Sequence, residues 1–362
     1  MIIIHRYLLR EIGLSFLAVV LVLALMFLSG TFVRLLAETL EGRYPADLLL
    51  TLFALRSVGS LVLLLPFAMF MAVMLALGRL YRDSEMTVLL ACGYGPLQLL
   101  KPVAIAAGIA ALLVALLSLH LAPWAEDRAA AVLDEAGARS GIESIVSGQF
   151  NSFDGSVVYV ERVDSTSKRL FGVFAVLRTH DTSIQLTAES GREYVDRQSG
   201  DRYLLLLNGY RYEGEHGQAS FRITHFDEHG LRIQERAVVP SERRRSSAAT
   251  MALWQAAGLA DITELQWRLA MPLSTLLLAL LAVPLSRSTP RQGRLFGLFL
   301  GVLVYLGYNN VLNIARSALS KGDVPPGVGL WWVHLLLLLL IAALFWYQLR
   351  MPAPKGRRGG GA

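Results

Sequence analysis

Six long runs of apolar residues constrain the fold of this chain more than any other feature of its sequence. They fall into two groups of three, at residues 12–33, 48–77 and 97–121 and at residues 265–285, 295–315 and 329–349. An α-helix needs about 20 consecutive apolar residues to cross a bilayer. Charged residues make up only 17% of the chain, whereas about a quarter of the residues in soluble proteins are charged. The sequence therefore predicts an integral membrane protein with six transmembrane helices.

Between the two groups, residues 124–259 have the composition of a soluble domain. A helix-like stretch at 125–138 precedes short segments of alternating apolar and polar residues, at 156–163, 170–177, 183–188, 192–196, 203–212, 220–226 and 231–239. Glycine and aspartate separate these segments, for example at Asp154-Gly155, Ser199-Gly200-Asp201 and Glu228-His229-Gly230. Such spacing is typical of an all-β sandwich or roll.

The predicted fold class is a polytopic α-helical membrane protein with an inserted all-β domain. Residues 1–123 hold three spans, residues 124–259 the β domain and residues 260–350 three more spans. The tail at 351–362 is basic and then rich in glycine, so it is expected to be disordered.

The short loops carry their basic residues on one side of the membrane. These residues are Arg6, Arg10, Arg79, Arg82, Arg287, Arg291, Arg294, Arg350, Lys355, Arg357 and Arg358. Because short cytoplasmic loops are enriched in lysine and arginine, both termini are predicted to be cytoplasmic and the β domain to lie outside. In a bacterium with two membranes, outside means the periplasm. The net charge of +6 is thus explained by topology and does not call for a nucleic-acid partner.

A short amphipathic helix is predicted on the cytoplasmic side, at residues 84–93 between the second and third spans. Asp83 or Ser84 is placed to cap its N-terminus, Glu85 suits the positive end of its dipole, and Gly93 suits its C-terminus. Residues at i, i+3, i+4 and i+7 make one face apolar: Met86, Leu89, Leu90 and Gly93. Such a helix either lies in the membrane interface or fits a groove on a partner.

Motifs for catalysis or cofactor binding are scarce. The sequence contains no P-loop motif G-x-x-x-x-G-K-[ST] and a single cysteine, Cys92, so neither an intrachain disulfide nor a cysteine-based metal site is expected. His225 and His229 could share one face of a strand and ligate a metal, but no third ligand is evident nearby. A polar turn between strands is the favoured interpretation, and no cofactor or metal is expected on this chain.

Four arginines lie at the predicted outer ends of the spans, where the positive-inside rule disfavours them: Arg34, Arg56, Arg268 and Arg316. Charge within a membrane tends to face the interior of a helix bundle, and guanidinium groups bind phosphate bidentately. On the fifth span Asn309, Asn313 and Arg316 share one face, and this polar stripe suits a cavity better than lipid tails. The alternative is that each arginine only extends to the membrane interface.

Three features together resemble the LptF/LptG family, the permeases of the lipopolysaccharide-exporting ABC transporter. The order of three spans, a β domain and three spans matches along nearly the whole chain. The short helix looks like the family's coupling helix, with the sequence Ser84-Glu85-Met86-Thr87-Val88-Leu89-Leu90-Ala91-Cys92-Gly93. The segment between spans four and five looks like the family's cytoplasmic motif, with the sequence Pro290-Arg291-Gln292-Gly293-Arg294. Residues 1–8, 122–124 and 264–268 resemble the LptF branch more than the LptG branch.

This resemblance implies an inner-membrane half-transporter that pairs with an LptG-like permease and is driven by two copies of an LptB-like ATPase, which would bind ATP and Mg²⁺. An LptC-like bitopic protein would join near span one. Lipopolysaccharide would leave the outer leaflet of the inner membrane and pass to a periplasmic β-jellyroll. On this model Glu85 pairs with a basic residue of the ATPase, and Arg34 contacts lipid phosphate.

Two other classes of function stay open from the residues alone. The chain could be a membrane-anchored periplasmic enzyme acting on lipid or envelope polymer, with His225 or His229 catalytic. It could also be a structural or signalling anchor whose spans only hold the β domain. The first predicts activity without an ATPase, and the second predicts that charge reversal at Arg34 or Arg316 is silent.

Overall fold

The computed structural model describes residues 2–40, 46–139, 147–148, 150–153, 156–164, 169–178, 182–195, 202–215, 221–232, 245–256, 258–287 and 294–350. Several sequence predictions lie outside these residues. They are the family motif at Pro290, Arg291 and Gly293, the turns at 154–155 and 199–201, and the tail at 351–362. Arg294 is the first residue of a described helix.

The helices of the first half of the chain are α1 (Ile2–Leu40), α2 (Leu49–Arg82), α3 (Glu85–Ala91), α4 (Pro96–Leu116) and α5 (Ala122–Arg139). A 3-10 turn at Ala46–Leu48 precedes α2, and a π-helical turn at Leu117–Leu121 joins α4 to α5. The second half has α6 (Thr250–Gln255), α7 (Leu259–Leu285), α8 (Arg294–Lys321) and α9 (Trp331–Arg350).

The prediction of six spans is confirmed. Within the described residues, six helices are long and apolar enough to cross a membrane: Ile3–Leu40, Ala46–Arg82, Leu97–Glu135, Leu259–Leu285, Gly297–Lys321 and Trp331–Arg350. The first and third extend furthest beyond the apolar runs of the sequence. Helices continue through polar residues at their ends, because a polar side chain does not interrupt the backbone hydrogen bonds.

The chain forms two compact units. The first comprises residues 1–31, 54–127 and 244–362, and the second comprises residues 32–53 and 128–243. In the first unit α2 and α7 are the most enclosed helices, because 67% of their most apolar stretch of 18 residues is buried, compared with 6% for α1 and 17% for α8. Helix α7 packs against α4, α8 and α9. The apolar surface of α1 and α8 therefore needs lipid or further membrane helices to cover it.

The second unit contains an antiparallel sheet of six described strands, each paired with the next along the chain. They are β1 (Phe150–Phe153), β2 (Ser156–Asp164), β3 (Arg169–Arg178), β4 (Thr182–Val195), β5 (Arg202–Glu215) and β6 (Phe221–Arg232). One face carries the apolar core of this unit, which includes Val160, Leu170, Leu186 and Leu206. The predicted inserted all-β segment is confirmed.

A row of unpaired positions crosses the sheet from β2 to β6. The pairing skips one residue in each strand, and these residues are direct neighbours across the sheet: Glu161, Gly172, Glu189, Asn208 and Asp227. We call this row the crease. Gly172 and Asn208 have positive φ angles of 62° and 49°, which an extended strand does not use.

The crease reverses the direction in which each strand points its side chains. On either side of it inward residues are two apart, as expected for a strand, but across it they are three apart. Leu170 and Val173 are buried on β3, and Leu206 and Gly209 are buried on β5. The apolar face thus continues across the crease, although the alternation along each strand changes phase.

This change of phase explains two wrong predictions. Segment 183–188 and residues 192–195 of the next segment belong to the single strand β4, and the predicted turn at Glu228-His229-Gly230 lies inside the continuous strand β6. A break in the period-two pattern was interpreted as a turn, whereas the strand continues through it. The short strand β1 was also missed, because its four residues are too few to show a period.

Asn208 tests whether the crease is a required backbone geometry. Its left-handed conformation suits asparagine and glycine but costs a β-branched residue about 1–2 kcal/mol. Asn208→Val is therefore expected to destabilise the sheet by about that amount, whereas Asn208→Gly stays close to wild type. Pulse proteolysis of the purified full chain, scored on fragments from β4 to β6, measures the difference. Equal resistance of the two variants would show that the crease does not depend on this conformation.

Candidate functional site

Helix α3 begins without the side-chain cap that was predicted. Ser84 occupies the N-cap position, but its φ is 60° and its hydroxyl does not cap the helix. Its carbonyl oxygen instead accepts hydrogen bonds from the backbone N–H groups of Thr87 and Val88, at 3.1 and 3.2 Å. Asp83 forms ion pairs with Arg82 and Arg79, at 3.0 and 3.9 Å. A side-chain cap typically needs an extended backbone at the N-cap residue, and the left-handed φ of Ser84 departs from it.

The predicted C-terminus of α3 is confirmed. Gly93 has a φ of 83°, which glycine adopts without steric cost. Its N–H donates to the Leu90 carbonyl at 3.0 Å, and the N–H of Tyr94 donates to the Leu89 carbonyl at 2.9 Å. These two bonds make a Schellman motif, and the Tyr94 side chain that follows is buried in the core.

The apolar face of α3 is divided between the core and the surface. Met86 is fully buried, in one cluster with Leu8, Leu80 and Tyr94, and Leu89 packs partly against that cluster. Val88 and Leu90 are 63% and 39% exposed. Met86 therefore anchors α3 to its own helix bundle, which corrects its predicted place on a partner-facing surface. The large apolar side chains of α3 that are exposed to a partner are those of Val88 and Leu90.

Glu85 at the start of α3 contacts the first helix. The Tyr7 hydroxyl donates to Oε2 of Glu85 at 2.6 Å, and Nη2 of Arg79 donates to the same hydroxyl at 3.5 Å. Nη1 of Arg79 also forms an ion pair of 2.7 Å with Glu11. Sequence reasoning missed Tyr7, Arg79 and Glu11 as neighbours of α3. The one available sign was that Tyr7 and Glu11 are four residues apart and thus share a helix face.

Arg268, one of the four predicted lipid-contacting arginines, is a buried structural residue. Its side chain is only 4% exposed, and its five N–H groups match five acceptors of the same unit. Nε donates to Glu264, Nη1 to the Ala248 carbonyl and to Thr250 Oγ1, and Nη2 to the carbonyls of Arg245 and Ser246. The guanidinium has no donor left for phosphate. The structure therefore contradicts the prediction that Arg268 contacts lipid.

Arg316 shares a carboxylate with Arg268. Nη2 of Arg316 donates to Oε2 of Glu264 at 3.0 Å, and its guanidinium stacks 4.3 Å above the ring of Trp267. The side chain of Arg316 remains 38% exposed. One largely enclosed carboxylate between two guanidinium groups leaves a net positive charge, and Arg316 is the most exposed member of this cluster, which solvent or a lipid headgroup can reach.

The remaining predicted lipid-site residues lie on three helices. Arg34 is exposed on α1, and Arg56 is half-buried on α2. On α8 Asn309 is half-buried and Asn313 is exposed, and Nδ2 of Asn313 donates to the Asn309 carbonyl at 2.8 Å. The polar face formed by Asn309, Asn313 and Arg316 is thus at least partly exposed. Its contact with lipid stays a prediction.

A family model described as the lipopolysaccharide export system permease LptF/LptG matches residues 6–347. The chain belongs to this family. LptF proteins of Escherichia coli strain K12, Escherichia coli O157:H7 and Shigella flexneri are each 32% identical to the chain over 345 residues, which cover 94% of this chain and 94% of each relative. The resemblance predicted from the sequence, with its preference for LptF, is confirmed.

The two β-domain histidines each lie beside an aromatic ring. Both lie on β6, where the His225 ring is 5.0 Å from that of Tyr210 and the His229 ring 5.1 Å from that of Phe226. Burial, and then the positive charge of Arg211, lowers the pKa of His229. Among the described residues no group of three or more His, Cys, Asp or Glu side chains is arranged to hold a metal ion. These contacts are packing contacts.

The sequence analysis also did not predict a polar network inside the helix bundle. The Ser274 hydroxyl lies 2.6 Å from the Tyr308 hydroxyl, which lies 2.9 Å from Nδ1 of His334. These residues connect α7, α8 and α9. They lie far apart in the sequence, so no periodic pattern pointed to them.

Replacing Arg268 tests its structural role. Lysine has three donors on one nitrogen and cannot satisfy five acceptors, so Arg268→Lys should cost about 3 kcal/mol or more of stability. Thermal unfolding of the purified chain in detergent measures this effect. Arg316→Lys is the matched control, and it should stay within about 1 kcal/mol of wild type because that site is partly exposed. Equal loss in both variants would contradict the distinction.

Proposed function

We propose that this chain is the permease subunit of an ABC transporter that extracts lipopolysaccharide from the outer leaflet of the inner membrane. It would pass the lipid to a periplasmic β domain that leads towards the outer membrane. Membership of the LptF/LptG family and similarity to LptF export permeases support the substrate. The observation that carries the mechanism is α3, a short helix between two spans with an apolar and acidic exposed surface.

The energy for transport would come from a separate ATPase, because the sequence has no P-loop. We expect two LptB-like subunits, which bind ATP and Mg²⁺, with one of them docked on α3. Val88 and Leu90 offer apolar contact, and Glu85 offers a carboxylate for a basic residue of the partner. Ser84 and Gly93 would set the position of the helix through the turn before it and the Schellman motif after it.

The lipid cavity would form between this chain and a second permease, which we expect to be LptG-like. The sparse burial of α1 and α8 supports such a partner, because two apolar helix surfaces need cover. An LptC-like bitopic protein would approach α1. On the first unit, lipid phosphate would meet the guanidinium groups of Arg56 and Arg316, and Asn309 and Asn313 lie on the same helix as Arg316. Arg34 on α1 would contact lipid phosphate separately. Arg268 no longer belongs to this set.

The orientation follows from the basic short loops, so both termini and α3 would be cytoplasmic. The sheet between residues 124 and 259 would be a periplasmic β-jellyroll akin to those of its partners. Its apolar face supports a role in carrying acyl chains. Strands β1 and β6 each pair with one described neighbour, and such strands are suited to adding a strand from another protein.

Affinity purification in mild detergent tests this function. An ATPase and a second six-span chain should copurify with this protein, and the complex should release lipopolysaccharide when ATP is added. If neither subunit copurifies, the permease assignment fails. Lipid processing by the chain alone would instead favour an enzyme.

Glu85 should be essential for coupling in that complex. Glu85→Arg places a cation where a basic partner residue is expected, so lipid release should fall about tenfold or more while the spans stay folded. Asp323→Arg is the control, because it reverses an exposed charge in the loop after α8. ATPase activity and lipid release are measured for both variants. Wild-type values for Glu85→Arg would rule out coupling through this residue.

Arg316 should contact lipid phosphate. With a photoreactive residue at Asn313, Arg316→Glu is expected to lower lipopolysaccharide crosslinking about tenfold, the effect of losing one hydrogen bond to a charged group. Arg34→Glu should act in the same direction. Lys321→Glu, an exposed charge reversal at the end of the same helix α8, should leave crosslinking unchanged. Silent Arg34→Glu and Arg316→Glu variants would favour a structural anchor.

A further inference from the structure

The first helix is packed against the bundle mainly at the end that carries Tyr7. Leu8 and Ile12 are buried in the same cluster as Met86 of α3. From Gly13 to Thr31, all of which the structure describes, no residue of α1 is buried. Phe16 and Val20 pack only partly against the core. In the first unit α1 is therefore attached firmly at one end and loosely along the rest of its length.

The attached end contacts α3 and the residues that follow it. His5 lies edge-on to the ring of Tyr94, with centroids 6.0 Å apart. Beside this apolar contact, the Tyr7 hydroxyl donates to Glu85 at 2.6 Å. That distance is typical of an O–H···O⁻ hydrogen bond, which is roughly twice as strong as a neutral one. A strong directional contact therefore connects α1 to the first residue of α3.

Two further residues hold Tyr7 in place. Arg79, in the last turn of α2, donates to the Tyr7 hydroxyl at 3.5 Å and forms an ion pair of 2.7 Å with Glu11. Glu11 lies one turn after Tyr7 on α1. The series Glu11, Arg79, Tyr7 and Glu85 alternates acceptor and donor groups across three helices, which we call the α1–α3 latch.

We propose that Tyr7 is a positioning residue that orients the Glu85 carboxylate and makes α1 move together with α3. This inference rests on the proposed function, in which α3 receives the motion of an ATPase. Tyr7 occupies Oε2 of Glu85 and leaves Oε1 for a cation of the partner. A displacement of α3 then reaches α1 directly, and little packing from Gly13 to Thr31 resists the movement.

Removal of one hydroxyl group tests the latch in the complete complex. Tyr7→Phe keeps the ring and deletes the donor, so the ATPase should still copurify. ATP-driven lipopolysaccharide release should fall about threefold to tenfold, which is the effect of one ordinary hydrogen bond, because water at this partly exposed site weakens the bond to the carboxylate. Tyr347→Phe is the matched control, because Tyr347 is 58% exposed and lies on α9 away from the latch residues in the sequence.

A double-mutant cycle identifies Glu85 as the partner of Tyr7. Glu85→Gln removes the charge that strengthens the bond, and Tyr7→Phe should therefore have a smaller effect in the Glu85→Gln background than in wild type. Effects on lipid release that add in full would show that Tyr7 acts through something other than Glu85, and this would overturn the proposal.

A distance measurement separates movement with α3 from simple structural support. Cys92, the single cysteine of the chain, is exposed just after α3 and can carry one spin label, while Leu17→Cys on the exposed side of α1 carries the other. The cysteines of the other subunits are replaced. In the wild-type background the distance should stay narrow and unchanged when ATP is trapped, whereas Tyr7→Phe should broaden or shift it.

The outcomes distinguish this inference from the proposed function. If wild type lacks an ATPase partner and lipid release, the proposed function fails. If wild type is active but its Cys92–Leu17→Cys distance changes with ATP as much as in Tyr7→Phe, the latch fails and the function stands. Wild-type release by Tyr7→Phe would also overturn the latch. Even if Tyr7→Phe does not assemble, the wild-type distance tests the proposal. A distance that is the same with and without trapped ATP supports the latch, and a distance that changes overturns it.

Discussion

A hydrocarbon layer offers no hydrogen-bonding partner, so every polar group that the long helices carry into it needs a partner inside the protein. The surroundings of Arg268 follow from this constraint. All five of its N–H groups have acceptors, and its own carbonyl accepts a hydrogen bond from Ser118 in the π-helical turn. Thr250 also donates to the Leu119 carbonyl of that turn. One arginine thus fixes α7, the end of α4 and the segment before α6 together.

The sequence predicted the features that repeat along the chain. The six spans follow from long apolar runs, and the end of α3 follows from Gly93, because one residue type suits its backbone conformation. Contacts between distant residues were not predictable in this way. Arg268 and Arg316 look alike in the sequence, since both are arginines at the ends of apolar runs. Only the folded structure shows that the carbonyls of Arg245, Ser246 and Ala248 enclose Arg268, whereas Arg316 remains partly exposed.

The short helix illustrates how a correct pattern leads to an incomplete interpretation. Its amphipathic spacing is present, but Met86 faces the core and the more exposed Val88 lay outside the predicted face. A bundle with an apolar interior needs an anchor for any helix on its surface, and the periodicity does not reveal which side is anchored. The hydrogen bond from Tyr7 to Glu85 adds a contact within the chain to a residue that the family resemblance assigned to a partner. The two contacts are compatible because a carboxylate has two oxygens.

The crease in the sheet has a consequence for how this domain tolerates changes in length. Five strands change phase at one shared row. Whether a side chain points towards the apolar core or towards water therefore depends on how many residues separate it from that row. Deleting one residue from a strand would displace its crease position or turn the apolar side chains beyond the deletion towards water. The connections between strands carry no such requirement. Variation in length among members of the family should therefore accumulate in those connections, while the number of residues from each turn to the crease stays fixed.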